Sequence, residues 1–182
     1  IRDIEIIETE ILLSDLESVQ KRLEKNNKKK LEKDELNFLQ NCLKLLESGK
    51  KPNELVKKYN KDLIKKFALL SIKPRIIVCN VDEKSLPNGN KYSDKCKKNF
   101  SNENIIIVCA DIEDQIMSLQ SNDRKDFMLE SGIKITGLDN LIKTGYNALG
   151  LATFFTSGPE ESRAWTIEKN SKAADAAGVI HT

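Results

Sequence analysis

Arg75-Ile76-Ile77-Val78-Cys79-Asn80-Val81-Asp82-Glu83 is the stretch on which the fold turns. After Pro74 a short, β-branched, continuously apolar run reaches Cys79, the pattern of a strand buried in a parallel sheet. A polar segment, Asn80 to Glu83, stands at its C-terminal end, followed by a loop holding Leu86-Pro87-Asn88-Gly89. A second run, Ile105-Ile106-Ile107-Val108, ends in Cys109-Ala110-Asp111. Between them Tyr92 to Phe100 reads as a helix, and another begins near Ile112. Strand, helix, strand, helix is the crossover pattern of an α/β sheet. Ligands of such sheets bind beyond the carboxyl ends of the strands, and both polar clusters fall there.

Upstream of Pro74 the period is helical. Ile4, Ile7 and Ile11, then Leu12, Leu16, Val19 and Leu23, form one apolar stripe. After a polar break at Asn26-Asn27 a second stripe runs through Leu36, Leu39, Leu43 and Leu46. The short connection predicts two antiparallel helices lying along a seam. Ser48-Gly49 suits the C-terminal cap of the second. A third helical segment is expected from about Asn60 to Leu70. Such a hairpin is a projecting arm that offers an interaction surface.

Downstream, helical patterns cover Asp123 to Glu130 and Leu138 to Leu149, with Gly150 as a stop. Ala152 to Thr156 and Arg163 to Ile167 read as two strands joined by a turn at Ser157-Gly158-Pro159. Lys172 to Ala177 reads as a short helix ended by Gly178. The boundaries are therefore set at residues 1–69 for the arm, 70–150 for the α/β part and 151–182 for a further small domain.

Composition narrows the class. With 39% hydrophobic and 32% charged residues among 182, the chain is that of a globular protein with a charged surface. No apolar run approaches the roughly 20 residues of a membrane span, so no membrane partner is expected. The start carries no secretory leader pattern, and without an initiator Met it is expected to lie inside a longer protein. The net charge of +2 announces no nucleic-acid partner. The positive charge is local, at Lys21-Arg22, Lys28-Lys29-Lys30, Lys57-Lys58 and Lys65-Lys66, either a solvated helical face or a surface for phosphate backbone. Cys42, Cys79, Cys96 and Cys109 form no C-x-x-C pair and, with His181 as the one histidine, make a poor zinc site; buried thiols are expected. His181 has no identifiable acid or nucleophile beside it, and no catalytic residue is assigned. Trp165 shares a strand face with Arg163 and Ile167, which predicts core packing, with base stacking as the other reading. Asp111, Glu113 and Asp114 read as a solvated helix start.

In GTP-binding domains the two strand ends carry the Asn-Lys-x-Asp and Ser-Ala-Lys elements that read the base. Asn80-Val81-Asp82-Glu83 is a variant of the first and Cys109-Ala110-Asp111 of the second. The usual aspartate accepts two hydrogen bonds from guanine N1–H and its amine, and the lysine stem covers the ring. Here Glu83 is one methylene longer, and Val81 replaces the lysine. Adenine presents an acceptor at N1, which a carboxylate would repel, so guanine selection is relaxed; main-chain groups near Val81 can instead meet the adenine amine.

The chain resembles the YchF family, the Obg-like ATPases that bind ribosomes. Arg2-Asp3-Ile4-Glu5-Ile6-Ile7-Glu8-Thr9-Glu10 is similar to that family's entry into its helical arm, and Asn80-Val81-Asp82-Glu83 to its Asn-x-x-Glu base-reading segment. Phe154-Phe155-Thr156-Ser157-Gly158-Pro159-Glu160, Arg163-Ala164-Trp165-Thr166-Ile167 and Ala176-Ala177-Gly178-Val179-Ile180-His181-Thr182 resemble parts of its TGS domain.

The resemblance implies an α/β fold: the C-terminal half of a P-loop G domain, an inserted antiparallel coiled-coil arm and the start of a β-grasp TGS domain. It implies a cytoplasmic, ribosome-associated ATPase that prefers ATP to GTP, uses Mg2+ and meets the ribosome or ribosomal RNA. Asn80, Val81, Glu83, Cys109 and Ala110 would then line the nucleobase. The sequence holds no G-x-x-x-x-G-K-[ST] phosphate cradle; Glu47-Ser48-Gly49-Lys50 has only a superficial likeness to one. Magnesium would be bound by a part not present here, and these 182 residues alone are expected to hydrolyse nothing. The rival reading is a non-catalytic RNA- or ribosome-binding adaptor that uses the lysine-rich arm and the TGS segment.

Overall fold

The computed structural model describes residues 1–25 and 31–180. The break at Asn26-Asn27, the Lys28-Lys29-Lys30 run, His181 and Thr182 lie outside the described residues. The chain divides into two compact units, Ile1–Lys73 and Pro74–Thr182.

The first unit is helical: α1 (Arg2–Lys25), α2 (Lys33–Glu47), a 3-10 turn (Pro52–Lys57) and α3 (Lys61–Phe67). Helices α1 and α2 pack together, but the buried face differs from a simple two-helix seam. Ile6, Ile7 and Leu13 stay exposed, and burial on α1 falls at Asp15 and Val19. On α2 it falls at Glu35, Phe38, Leu39, Cys42 and Leu46. The reason is that residues 52–69 fold back over α2. Leu55, Phe67 and Leu69 join Val19, Phe38, Leu39 and Cys42 in one core. Phe38 meets Tyr59 edge-on at 5.1 Å between ring centres and stacks on Phe67 at 5.5 Å. Both are favourable aromatic arrangements. Tyr59 spends its hydroxyl as acceptor for Asn41 Nδ2 at 2.8 Å.

Local chemistry sets the helix ends. Glu32 and Glu35 form a reciprocal capping box at the start of α2, and buried Glu35 also pairs with Lys66 of α3. Gly49, at φ +71°, turns the chain out of α2. The third helix is shorter than its sequence pattern suggests: Ala68 adopts a left-handed conformation and stops it, so Leu69 turns into the core. Asp15, 3% exposed, then accepts from Leu70 N at 2.9 Å, Ser71 N at 2.7 Å and Ser71 Oγ at 2.6 Å. That anchor keeps residues 70 and 71 with the helical unit.

Cys42 is fully buried in this core. Burial, reinforced by the negative charge of Asp15, pushes its thiol up to about 12. The sign follows from linkage. Between the ordinary thiol range near 9 and that value, the unfolded chain gives up a proton that the folded chain keeps, so stability falls as pH rises through this window.

The second unit opens with β1 (Ile76–Asn80), a 3-10 turn (Glu83–Ser85), α4 (Lys91–Asn99), β2 (Asn104–Val108) and α5 (Ala110–Ser118). Strands β1 and β2 pair in parallel, Ile76 opposite Asn104 through Asn80 opposite Val108. The register brings their carboxyl ends level. Ile77 and Ile106 are buried, whereas Val78 is 46% exposed, so β1 is covered on one face and not on both. Cys79 and Cys96 are likewise only half-buried, in contrast to Cys42 and Cys109. Gly89 closes the loop before α4 at φ +93°, and a Cβ there would lie 2.6 Å from Ile107 Cδ1, so only glycine fits.

Helices α6 (Ser121–Glu130) and α7 (Gly137–Ala148) follow, with α6 against α5 and α7 against β2. Strands β3 (Leu151–Ser157) and β4 (Ser162–Glu168) form an antiparallel hairpin, Phe154 opposite Trp165. Trp165 is half-buried; its Nε1 donates to Thr156 Oγ1 at 2.9 Å, and the Arg163 guanidinium covers its ring at 4.2 Å. Finally α8 (Ala173–Ile180) runs through Gly178 and does not stop there.

Candidate nucleobase site

The level ends of β1 and β2 bring Asn80, Val81, Cys109 and Ala110 to one edge of the parallel pair. Asn80 is the joint between them. Its side-chain Oδ1 accepts the Ala110 N–H at 3.0 Å, thirty positions away in sequence. That bond leaves the amide nitrogen, with its two donors, for another partner. Val81 extends the ladder by one step, its N–H donating to Val108 O at 2.8 Å. The Val81 amide is thus spent on the sheet, and its carbonyl is the main-chain group of that residue that can meet an exocyclic amine. The Val81 side chain is buried at 8% exposure, so it does not lie out over a ring as a lysine stem would.

Cys109 is extended at the N-cap of α5 and 2% exposed, clustered with Ile112 and Ile116. Ala110 beside it is exposed. The pair is therefore a buried anchor followed by an open, small surface at a helix N-terminus. Glu83 follows Asn80 by three positions. It is the first residue of the 3-10 turn and exposed, and it shares with Ile112, Leu86 and Phe127 the wall of a hollow of about 570 Å³. No hydrogen bond or ion pair joins Glu83 to Asn80 among the described residues. Cys79, next to Asn80, has its thiol raised by burial and then by the neighbouring Cys96 thiol.

Of the three acids expected to form a solvated helix start, one has a different role in this neighbourhood. Asp111 and Asp114 are exposed, as a solvated helix start requires. Glu113 instead accepts from Gly137 N at 2.5 Å and Leu138 N at 3.2 Å, capping α7. The glycine after Thr136, at the start of an amphipathic run, was the available signal. Among the described residues no group of three or more His, Cys, Asp or Glu side chains is placed to hold a metal ion, and no helix is long and apolar enough to cross a membrane.

Comparison with known proteins gives a concordant result along the whole chain. Residues 151–182 match the family model YchF-GTPase_C, described as a protein of unknown function (DUF933). The ribosome-binding ATPase YchF of Bacillus subtilis is 40% identical over 193 aligned positions, covering 100% of this chain and 52% of that protein. Its counterpart in Escherichia coli O157:H7 is 37% identical over 99% of this chain and 52% of its own length. A solved structure titled as the Schizosaccharomyces pombe YchF GTPase superposes with a TM-score of 0.79 at 32% identity, over 99% of this chain and 52% of that one. The chain spans about half the length of the relatives it matches. On that evidence the chain is similar over its whole length to about half of a YchF protein, and it shares the mixed helix and strand fold of a solved YchF structure.

Proposed function

We propose that the full-length protein carrying this segment is a ribosome-associated nucleotide hydrolase that prefers ATP to GTP, and that these residues supply the base-reading end of its pocket. The observation that carries this reading is the Asn80 Oδ1 bond to Ala110 N, which fuses two strand-end clusters into one edge. The names of the relatives disagree on the nucleotide, ATPase for the Bacillus and Escherichia proteins and GTPase for the fission-yeast one. The preference therefore rests on the residues. With Val81 in place of a lysine and its side chain buried, no stem clamps a ring. With Glu83 longer than aspartate and exposed on its own turn, the guanine-specific pair of acceptors is not held rigidly. The Val81 carbonyl and the Asn80 side-chain amide N–H offer an acceptor and a donor, the complement of the adenine 6-amine and N7.

The ribosomal partner is inferred from what the relatives are called, and a cytoplasmic setting goes with it. The exposed lysines at 57, 58, 61 and 65, with Lys66 turned to Glu35, give the helical unit a basic surface suited to phosphate backbone. In this reading phosphate binding and magnesium fall to residues outside these 182, since the sequence holds no G-x-x-x-x-G-K-[ST] loop.

Equilibrium titration of the full-length protein with Mg-ATP and Mg-GTP tests the preference. ATP is expected to bind at least about tenfold more tightly, the worth of one well-placed hydrogen bond, and the 182-residue chain alone to show no turnover. GTP preference would overturn the adenine reading. Salt-dependent RNA binding that ignores nucleotide would favour a non-catalytic adaptor.

A further inference from the structure

Ala110 and Glu113 stand three residues apart on α5 and so share one side of the helix. Ala110 is held through its N–H by Asn80. Glu113 is held through its carboxylate by the first two amides of α7, Gly137 at 2.5 Å and Leu138 at 3.2 Å. Thr136 Oγ1 accepts the next free amide, Asp139 N, at 3.0 Å. The first turn of a helix has no partners of its own for these amides and carries partial positive charge. A carboxylate from a different helix is thus bound at two points.

Gly137 makes the approach possible. A Cβ at that position would lie 2.7 Å from Val108 Cγ1 and 2.9 Å from Glu113 Oε1. Val108 is the last residue of β2, directly before Cys109. The end of β2, the first turn of α5 and the N-terminus of α7 therefore meet at one close-packed point, beside the loop that Asn80 grips.

We propose that Glu113 is a positioning residue for the nucleobase pocket: by fixing α5 against the N-terminus of α7 it keeps the Ala110 amide aimed at Asn80 and the Cys109-Ala110 loop in place. The proposal rests on the nucleotide reading of Asn80 and Ala110. Glu113 itself touches no nucleotide. Its work is to remove the rotational freedom of α5, which a ligand would otherwise have to freeze on binding.

Three variants of the full-length protein, Glu113→Ala, Glu113→Gln and Gly137→Ala, test it. Mg-ATP affinity, turnover at saturation, thermal melting and hydrogen exchange at the Ala110 amide are measured well below the melting range. Glu113→Ala and Gly137→Ala should weaken ATP binding about tenfold, with the loss in affinity and not in turnover at saturation. Exchange at Ala110 should quicken by a similar factor. Glu113→Gln keeps one acceptor for Gly137 and should restore most of the affinity. A Glu113→Ala protein that melts earlier but keeps wild-type affinity and Ala110 protection overturns the proposal, since the clamp is then merely structural. Failure of the wild-type protein to bind ATP removes the nucleotide reading instead, and unchanged Ala110 exchange in Glu113→Ala would then still sink the clamp.

Discussion

Replacing Asn80 by alanine is expected to weaken Mg-ATP binding by the full-length protein about a hundredfold, because two hydrogen bonds of roughly 1–1.5 kcal/mol each are lost together. One is visible in the structure, from Ala110 N to Asn80 Oδ1 at 3.0 Å. Without it the Cys109-Ala110 loop loses its tie to β1, while Cys109 stays anchored by burial against Ile112 and Ile116. The other is the donor that the amide nitrogen offers to the base. Asn80→Asp separates the two. It keeps an oxygen for Ala110 but replaces the donor by a second acceptor, so the loop should hold while affinity falls about tenfold or more. Calorimetric titration of both variants reads the two contributions. Wild-type affinity in Asn80→Ala would mean that this edge does not meet the nucleotide.

The largest effect on stability is expected at Asp15. Its carboxylate, 3% exposed, accepts three hydrogen bonds from Leu70 and Ser71. Asp15→Ala leaves those donors without an acceptor beside a cavity, which should cost about 3–5 kcal/mol. For a unit of this size that is roughly 12–40 °C in melting temperature. Ser71→Ala removes only the hydroxyl donor and should cost about 1 kcal/mol. Urea unfolding followed by circular dichroism distinguishes them. Equal, small losses in both variants would show that Asp15 is not the anchor of the segment that closes the helical unit.

How far these sites could be read from sequence depended on the range of the interactions. Ile76 to Cys79 and Ile105 to Val108 announce themselves by local composition, and the polar residues after them fall where parallel strands end. Asn80 and Ala110 could thus be named, but the bond between them depends on a register that no local pattern contains. Phe38 and Cys42 fell off the expected seam of α2 because residues 52–69, distant in sequence, bury that second face. The 3-10 turn at Pro52–Lys57 has no amphipathic period to reveal it. Asp15 drew no notice in the sequence, standing between Leu12 and Leu16, because its acceptor role depends on a segment more than fifty residues away. Glu113 was hidden by a plausible local explanation, since acids at a helix start suit its own dipole. Its carboxylate serves a different helix. In each case a local rule was satisfied and a long-range contact decided the role.

The central claim is that the edge formed by Asn80, Val81, Cys109 and Ala110 faces a nucleobase, and photolabelling places the base directly. Full-length protein is irradiated with 2-azidoadenosine triphosphate and magnesium, digested, and the modified peptides are sequenced by mass spectrometry, with unlabelled ATP as competitor. Label that ATP suppresses is expected within Asn80 to Leu86 or Cys109 to Glu113. Competable label confined to other segments, with those two peptides unmodified, would contradict the assignment of this edge to the base.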